Sequence, residues 1–464
     1  MWSRYVVITR KVEEKKRTLN TILISGFSKS QNGSSINIVR HELRQRGSTR
    51  RGLIAGPVHR DGDTSTEEGR MKTKGTIGLS LLAFAAIGHA QSSVTLYGRI
   101  DNGLTYWSGR ADGHLIGAES GSFGESWWGV EGTEDLGGGN SAIFKLESGI
   151  NTLNGAIQNG GLFGRHAWVG MTNDRYGTFK MGNLGAGEIM QDSYDLDPQV
   201  FQQFALSTLV RGRNWSQAGN GMEYSSPTIG GFALKGQYDL TNNANGWNTA
   251  ASSSGVSGSG PNQLGGAQGR ADGIKAVYNG SNIELLAIYD ETRDPNGKFS
   301  NVYVSSRSAL VGATYMWGPL KAYAGYQHLS APDASLSSYG VASGTLPSGV
   351  RGVPTAVDHE WVGLSYRINP AAYVTGAVFH ANANGGNGNA TMYTLGGTYN
   401  LSKRTFFYTE LAYLHNSSTS NLGLGNGYID PYGPNQTQGG AGGNVAPNYG
   451  HSQFGAIAGV MTLF

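Results

Sequence analysis

The sequence predicts an all-β fold, a 16-stranded antiparallel transmembrane β-barrel. Three observations carry this expectation. The chain is built of segments of about ten residues in which apolar and polar side chains alternate, the period of a half-buried strand. No segment after residue 90 stays apolar for the ~20 residues that a membrane-spanning helix needs. The connections alternate between short and long, as they do at the two rims of a transmembrane barrel.

Composition sets the outer bounds. The 464 residues include 73 Gly and no Cys. Glycine this frequent without a three-residue period excludes collagen and implies tight turns and close strand contacts. Absence of Cys excludes a disulfide framework, thiolate zinc sites and a Cys nucleophile. The formal net charge of +3 averages two unlike parts.

Residues 1–70 carry 14 Lys+Arg against 7 Asp+Glu and show no sustained hydrophobic period. They read as a disordered upstream extension that precedes the true start; a genuine basic extension is the alternative. At Met71 the character changes. Lys72 and Lys74 are followed by an apolar run from Ile77 to Ile87 and then Gly88-His89-Ala90. This is a secretory signal peptide over 71–90, cleaved between Ala90 and Gln91. The mature barrel, 91–464, then holds 19 basic and 25 acidic residues, a net of −6. That balance removes electrostatic support for nucleic-acid binding.

In the first mature segment Val94, Leu96, Gly98 and Ile100 share one face, and Thr95, Tyr97, Arg99 and Asp101 the other. In the next clear one Ala142, Phe144 and Leu146 oppose Ile143, Lys145 and Glu147. The same alternation runs through FALKGQYDL, IELLAIYDE, KAYAGYQHL, WVGLSYRI, YVTGAVFHA, TMYTLGGTY, TFFYTELAYL and QFGAIAGVMTLF. Seven tight turns punctuate them: EDLGGG, NDRYG, SPTIGG, NGSN, MWGP, INP and NLSKRT. Eight longer connections lie near 108–121, 151–162, 185–219, 241–270, 292–306, 331–356, 383–389 and 416–449. Seven and eight connections imply sixteen strands, with both chain ends on the short-turn side.

A soluble two-sheet protein is the competing fold. The signal peptide and the lack of a partner sheet for the apolar faces argue against it. Aromatics near strand ends (Tyr106, Trp107, Trp168, Phe179, Tyr366, Phe379, Phe406, Tyr413) fit the girdles of a membrane barrel. In lipid every backbone polar group must be paired, so an all-strand chain has to close. Sixteen strands leave an interior too wide for side chains to fill, so the polar faces should line water.

The segment Gly185 to Gly219 breaks the alternation. It carries the acids Glu188, Asp192, Asp195 and Asp197, then the basic pair Arg211 and Arg213. Its apolar residues (Val200, Phe201, Phe204, Leu206, Leu209, Trp215) give it anchors that a disordered loop lacks.

The sequences QSSVTLYGRIDNGLTY, GVEGTEDLGGGNSAIFKLESG, LFGRHAWVGM, YGTFKMG, MEYSSPTIGGF and the terminal Phe464 span the mature chain. In this order they resemble the trimeric general-diffusion porins of Gram-negative bacteria, in their betaproteobacterial form. The resemblance implies an outer-membrane homotrimer in contact with lipid and lipopolysaccharide, inserted by the barrel-assembly machinery, through which small hydrophilic solutes and ions diffuse. It implies an inward-folded third loop, here 185–219, that narrows the lumen, with loop acids facing basic wall residues. Arg165 stands at a wall arginine of the family, and Arg211 or Arg213 could supply another; Arg99 and Lys145 lie on lumen faces. Gly459 and Phe464 match the family's terminal assembly signal, although Thr462 stands where a bulky residue is usual. Trp127, Glu131 and Asn183 occupy positions that are commonly basic. With fewer wall cations and a net of −6, the charge balance leans towards cations.

The chain shows no phosphate loop, no HExxH and no nucleophile elbow. Its seven mature His are scattered. Asp192, Asp195 and Asp197 could hold Ca²⁺, but solvated pore acids are the simpler reading. No catalytic residue, cofactor or metal is expected. Two rival functions stay open at this point, a surface binding protein or adhesin and a barrel hydrolase.

Overall fold

Sixteen antiparallel strands close on themselves in a computed structural model of the chain. It describes residues 5–14, 17–26, 92–111, 113–159, 161–185, 189–200, 203–210, 221–239, 271–294, 296–340, 346–424 and 446–464. The chain divides into two units, Met1–Ile77 and Gly78–Phe464. In the first, within the stretch expected to be disordered, Tyr5–Glu14 and Arg17–Gly26 pair as an antiparallel hairpin. The leader expected at 71–90 and its junction at Ala90 and Gln91 lie outside the described residues.

The second unit is the barrel. Its strands are β1 (Ser93–Arg110), β2 (Gly113–Ser120, resuming at Trp127–Gly137), β3 (Asn140–Gly149), β4 (His166–Asn173), β5 (Gly177–Asn183) and β6 (Gly221–Ser225). Then come β7 (Phe232–Asp239), β8 (Ala271–Asn279), β9 (Ile283–Thr292), β10 (Arg307–Trp317) and β11 (Leu320–Ser330). The last five are β12 (Ala356–Asn369), β13 (Ala372–Ala383), β14 (Asn389–Asn400), β15 (Thr405–Asn416) and β16 (Gln453–Leu463). Each pairs with the next, and β16 pairs with β1 from Gly455↔Trp107 to Leu463↔Arg99, so no edge remains. Both parts of β2 pair with β1, which makes them one interrupted strand.

All seven expected tight turns join consecutive strands. In the β2–β3 turn Gly137, Gly138 and Gly139 have φ of 80°, 63° and 79°. Three successive left-handed residues would strain any side chain, which explains the run of glycine.

The first long connection is corrected. Residues 108–121 are almost all strand: β1 continues to Arg110 and β2 begins at Gly113. Gly109 and Gly113, with φ of 67° and 115°, allow the tight reversal there. The irregular stretch comes later, at 121–126, inside β2.

Alternation sets the two faces as expected. Val94, Leu96, Leu104, Val169, Val311, Val362, Leu364 and Leu395 are exposed outward. The opposite face is not uniformly polar, which corrects the expectation of a wholly water-lined interior. Leu286, Ile288, Leu310, Leu329, Trp361, Met392 and Leu414 on β9–β15 are buried there. They form one apolar cluster with Ile189, Met190, Leu196, Phe204, Leu206 and Leu209 of the 185–219 segment. Two of the expected girdle aromatics belong to this cluster as well, since Trp107 and Phe379 are buried. In a period-two strand Tyr106 and Trp107 cannot both face outward, and Tyr106 is the exposed one.

Candidate functional site

Two networks of ion-paired side chains lie on the inner face among the described residues. The first spans β1–β4 and is centred on Glu147. That carboxylate accepts from Tyr97 Oη at 2.6 Å and Arg165 Nε at 2.9 Å, with Lys145 Nζ at 3.5 Å and His166 Nε2 at 3.6 Å. Arg165 also pairs with Glu125, and Lys145 lies 3.4 Å from Glu131. Arg99 donates to the Glu125 carbonyl at 2.7 Å.

The departures at Trp127, Glu131 and Asn183 acquire physical roles. The Trp127 ring lies against two guanidinium groups, Arg99 at 5.6 Å and Arg165 at 5.5 Å from its centroid, a cation–π arrangement. Glu131 pairs with Lys145. Asn183 Nδ2 donates to the carbonyls of Phe163 and Gly164 and ties down the chain entering β4.

The second group joins β5–β8 to the non-alternating segment. Lys180 on β5 meets Glu223 on β6 at 2.8 Å, and Glu223 meets Lys235 on β7 at 3.1 Å. Lys235 reaches Asp192 at 3.1 Å; Lys275 on β8 reaches Asp192 at 3.0 Å and Asp195 at 4.0 Å. Within the segment Ile189–Leu196 forms a 3₁₀ helix, with a second short one at Thr208–Val210. A 3₁₀ run of 8 residues is long for its kind. Val200, β-branched, has a φ of 50°, a conformation kept only where surroundings impose it.

Side chains from β12–β15 bond to the segment. Trp361 Nε1 on β12 donates to the Leu196 carbonyl at 2.9 Å. Gln199 joins Thr375 on β13 and Thr394 on β14. The Phe204 amide donates to Glu410 on β15 at 3.0 Å.

The three described aspartates differ sharply. Asp192 is neutralised by two lysines. The Asp195 side chain is 47% exposed, and partial burial, offset by Lys275 and reinforced by Asp192, raises its pKa above the ordinary carboxylate value. Asp197 is 0% exposed and accepts the amides of Gln199 (2.9 Å) and Leu206 (3.3 Å), bracing the chain. Of the other expected residues, Arg99, Lys145 and Arg165 fall together in the first group. Glu188, Arg211 and Arg213 lie outside the described residues.

Sequence reasoning passed over Glu125, Glu147, Lys180, Glu223, Lys235 and Lys275. The signal was there in parity: Lys235 shares the inner face of FALKGQYDL with Gln237 and Asp239, which are buried.

A closed barrel with an apolar outer face and ion-pair networks on its inner face is a membrane-spanning channel protein. The sequence profile of the Gram-negative porins matches residues 78–419, and the chain belongs to that family. It is an outer-membrane diffusion channel. An outer membrane porin protein of Bordetella pertussis is 29% identical over 388 residues, covering 74% of this chain and 96% of its own. Outer membrane porin protein 32 of Delftia acidovorans is 27% identical over 369 residues, covering 76% and 92%. Among solved structures, the anion-selective porin from Comamonas acidovorans superposes with a TM-score of 0.61 at 22% identity, over 81% of this chain and 100% of its own. OmpT of Vibrio cholerae gives 0.52 at 15%, over 81% and 99%.

Proposed function

We propose that residues 189–200 and 203–210, the described part of the 185–219 segment after Gly185, lie within the lumen and form its constriction, and that the charges beside them select among small hydrophilic solutes and ions. The observation that carries this reading is the bonding of Asp192, Leu196, Gln199 and Phe204 to inner-face groups on β7–β8 and β12–β15. Passage is passive, with no bond chemistry and no cofactor. The protein works as a homotrimer surrounded by lipid and lipopolysaccharide, is exported by the 71–90 leader, and is inserted by the assembly machinery, which reads the terminal strand with Gly459 and Phe464. N-terminal sequencing of the mature protein is expected to begin at Gln91, not within residues 1–70.

Selectivity leans to cations. Asp195 (47%) and Glu131 (46%) expose more of their side chains than Lys145, Lys235 and Lys275 (26%, 15% and 14%). Anion selectivity is a property of the Comamonas porin and is not carried over to this chain.

Planar-bilayer recording tests the function: stable ohmic steps are expected, and silence accompanied by hydrolysis or ligand capture would replace the channel with a barrel enzyme or an adhesin. For selectivity, the reversal potential in a salt gradient is expected to move toward anions in Asp195→Asn. In Asp192→Asn it should move further, because that change takes a shared carboxylate from two lysines and leaves Lys275 only the more distant Asp195, while Lys235 keeps Glu223. An unmoved potential in both removes these acids from the pore.

A further inference from the structure

Five glycines stand on the inner face of alternate strands, where described residues of the 185–219 segment come against them. A Cβ on Gly273 (β8) would meet Ile189, on Gly312 (β10) Leu196, on Gly363 (β12) Pro198, on Gly396 (β14) Gln199 and on Gly455 (β16) Phe204. In each case the nearest loop atom stands under 3.0 Å from the added carbon, closer than real Cβ contacts come. None of the five has a φ in the left-handed region, so backbone conformation does not call for glycine at any of them. Glycine inside a strand is unfavourable in its own right, for lost entropy and absent packing. What each position requires is space.

The order is the telling part. Loop residues 189, 196, 198, 199 and 204 meet strands 8, 10, 12, 14 and 16 in sequence. A sixth glycine acts at one remove: Gly325 on β11 leaves room for the Trp361 indole, whose Nε1 donates to Leu196. The strands between carry ordinary side chains inward, such as Ile288, Tyr323 and Thr375. The wall therefore alternates hollows with ridges along the path of the loop.

We propose that these five glycines are a seating track that positions the loop, setting how far it stands off the wall and hence the free width of the channel. They are positioning residues, acting through Ile189, Leu196, Pro198, Gln199 and Phe204 without facing a solute. The inference rests on the reading of residues 189–200 and 203–210 as the constriction. It adds that pore width is encoded on the wall, at positions far from the loop in sequence.

The ends of the track give the cleanest test, because at Gly273 and Gly455 the atoms under 3.0 Å belong to side chains and not to backbone. Gly455→Leu and Gly273→Leu are made in the full chain, checked for a heat-modifiable barrel on an unheated gel, and recorded in planar bilayers. Each is expected to push the loop off the wall and lower single-channel conductance. Adding Ile189→Ala to the second vacates the hollow and is expected to restore conductance. The first needs Phe204→Ala together with Leu424→Ala, because Leu424 Cδ1 also stands 2.9 Å from the added carbon. A general loss of barrel quality would not be rescued in this way. Phe204→Ala alone keeps the native wall and serves if the leucine variants fail to fold; an unseated loop should then give noisier open-channel current. The proposal is overturned if folded leucine variants conduct like wild type, if the partner truncations do not restore them, or if Phe204→Ala leaves the current unchanged. If the constriction reading itself were wrong, Asp192→Asn and Asp195→Asn would leave the reversal potential unmoved. Potentials that shift while the glycine variants conduct normally would sink the track alone.

Discussion

Three aspartates within six residues of one loop do three different things, and surroundings decide which. Asp192 holds two lysines and spends its charge on them. Asp197, with none of its surface exposed, accepts two backbone amides of its own loop. Asp195 presents the most charge to solvent. Asp197→Ala should therefore leave the reversal potential in place while making the current noisier, because two buried amides lose an acceptor at a cost of about 1–3 kcal/mol each. Asp195 should govern the pH response. Its pKa is raised, so it takes up its proton earlier than a free carboxylate does as pH falls. The charged groups that face it are Lys275, Lys235, Lys321, Asp192 and Glu284. Cation preference is thus expected to be complete near neutrality and to fall on acidification, starting above the pH at which a free carboxylate titrates. Reversal potentials against pH in wild type and Asp195→Asn check this, and coincident curves would remove Asp195 as the responsive group.

At the scale of elements, β2 is the exception in an otherwise regular wall. Between Ser120 and Trp127 the chain leaves the sheet and is held from β1. Asp101 Oδ2 accepts the amides of Phe123 and Gly124 at 2.7 and 2.8 Å, and Oδ1 accepts Tyr408 Oη at 2.6 Å. The gap is filled by the end of β3: the Ile150 amide donates to Ser126 at 2.8 Å, and Thr152 bonds to Ser120 and Asn102. Asp101→Ala strips three donors of their acceptor and should destabilise the barrel by a few kcal/mol, on the order of 1–3 per buried group. The temperature at which the folded band disappears from an unheated gel reads this, with Asp101→Asn expected between the two. An unchanged temperature would mean that the detour supports itself. The sequence shows why this element escaped prediction. GSFGES reads as the end of a loop, whereas the preceding HLIGAE alternates with small residues and hides a strand. Trp107 and Phe379 are a different kind of miss, since the two-residue period already assigned them to the inner face.

For the whole molecule, strand number and rim were legible because turns have strong local chemistry, such as the three glycines after Asp135-Leu136. The apolar inner set was not, because an inward Leu looks like an outward one until the loop that covers it is placed. Closure depends on the seam, where Phe464 does two separable things. Its backbone exchanges hydrogen bonds with Gly98, N to O at 3.0 Å and O to N at 3.2 Å, and its ring fills the space where a Gly98 Cβ would stand. Gly459, on the same terminal strand, leaves room for Tyr408, which Asp101 holds. In a membrane an unpaired backbone group cannot turn to water, so the seam has to be complete. Deleting Phe464 removes both contributions, whereas Phe464→Ala keeps the backbone pairing and loses the ring. Refolding the purified chain into detergent, with no assembly machinery present, is therefore expected to give a heat-modifiable barrel with Phe464→Ala and a markedly poorer yield with the deletion. In cells both variants are expected to accumulate poorly if the assembly machinery reads the terminal ring, as proposed. Equal yields of wild type and deletion in detergent would show that the seam closes without its last residue. Equal accumulation of wild type and Phe464→Ala in cells would show that the ring is not read.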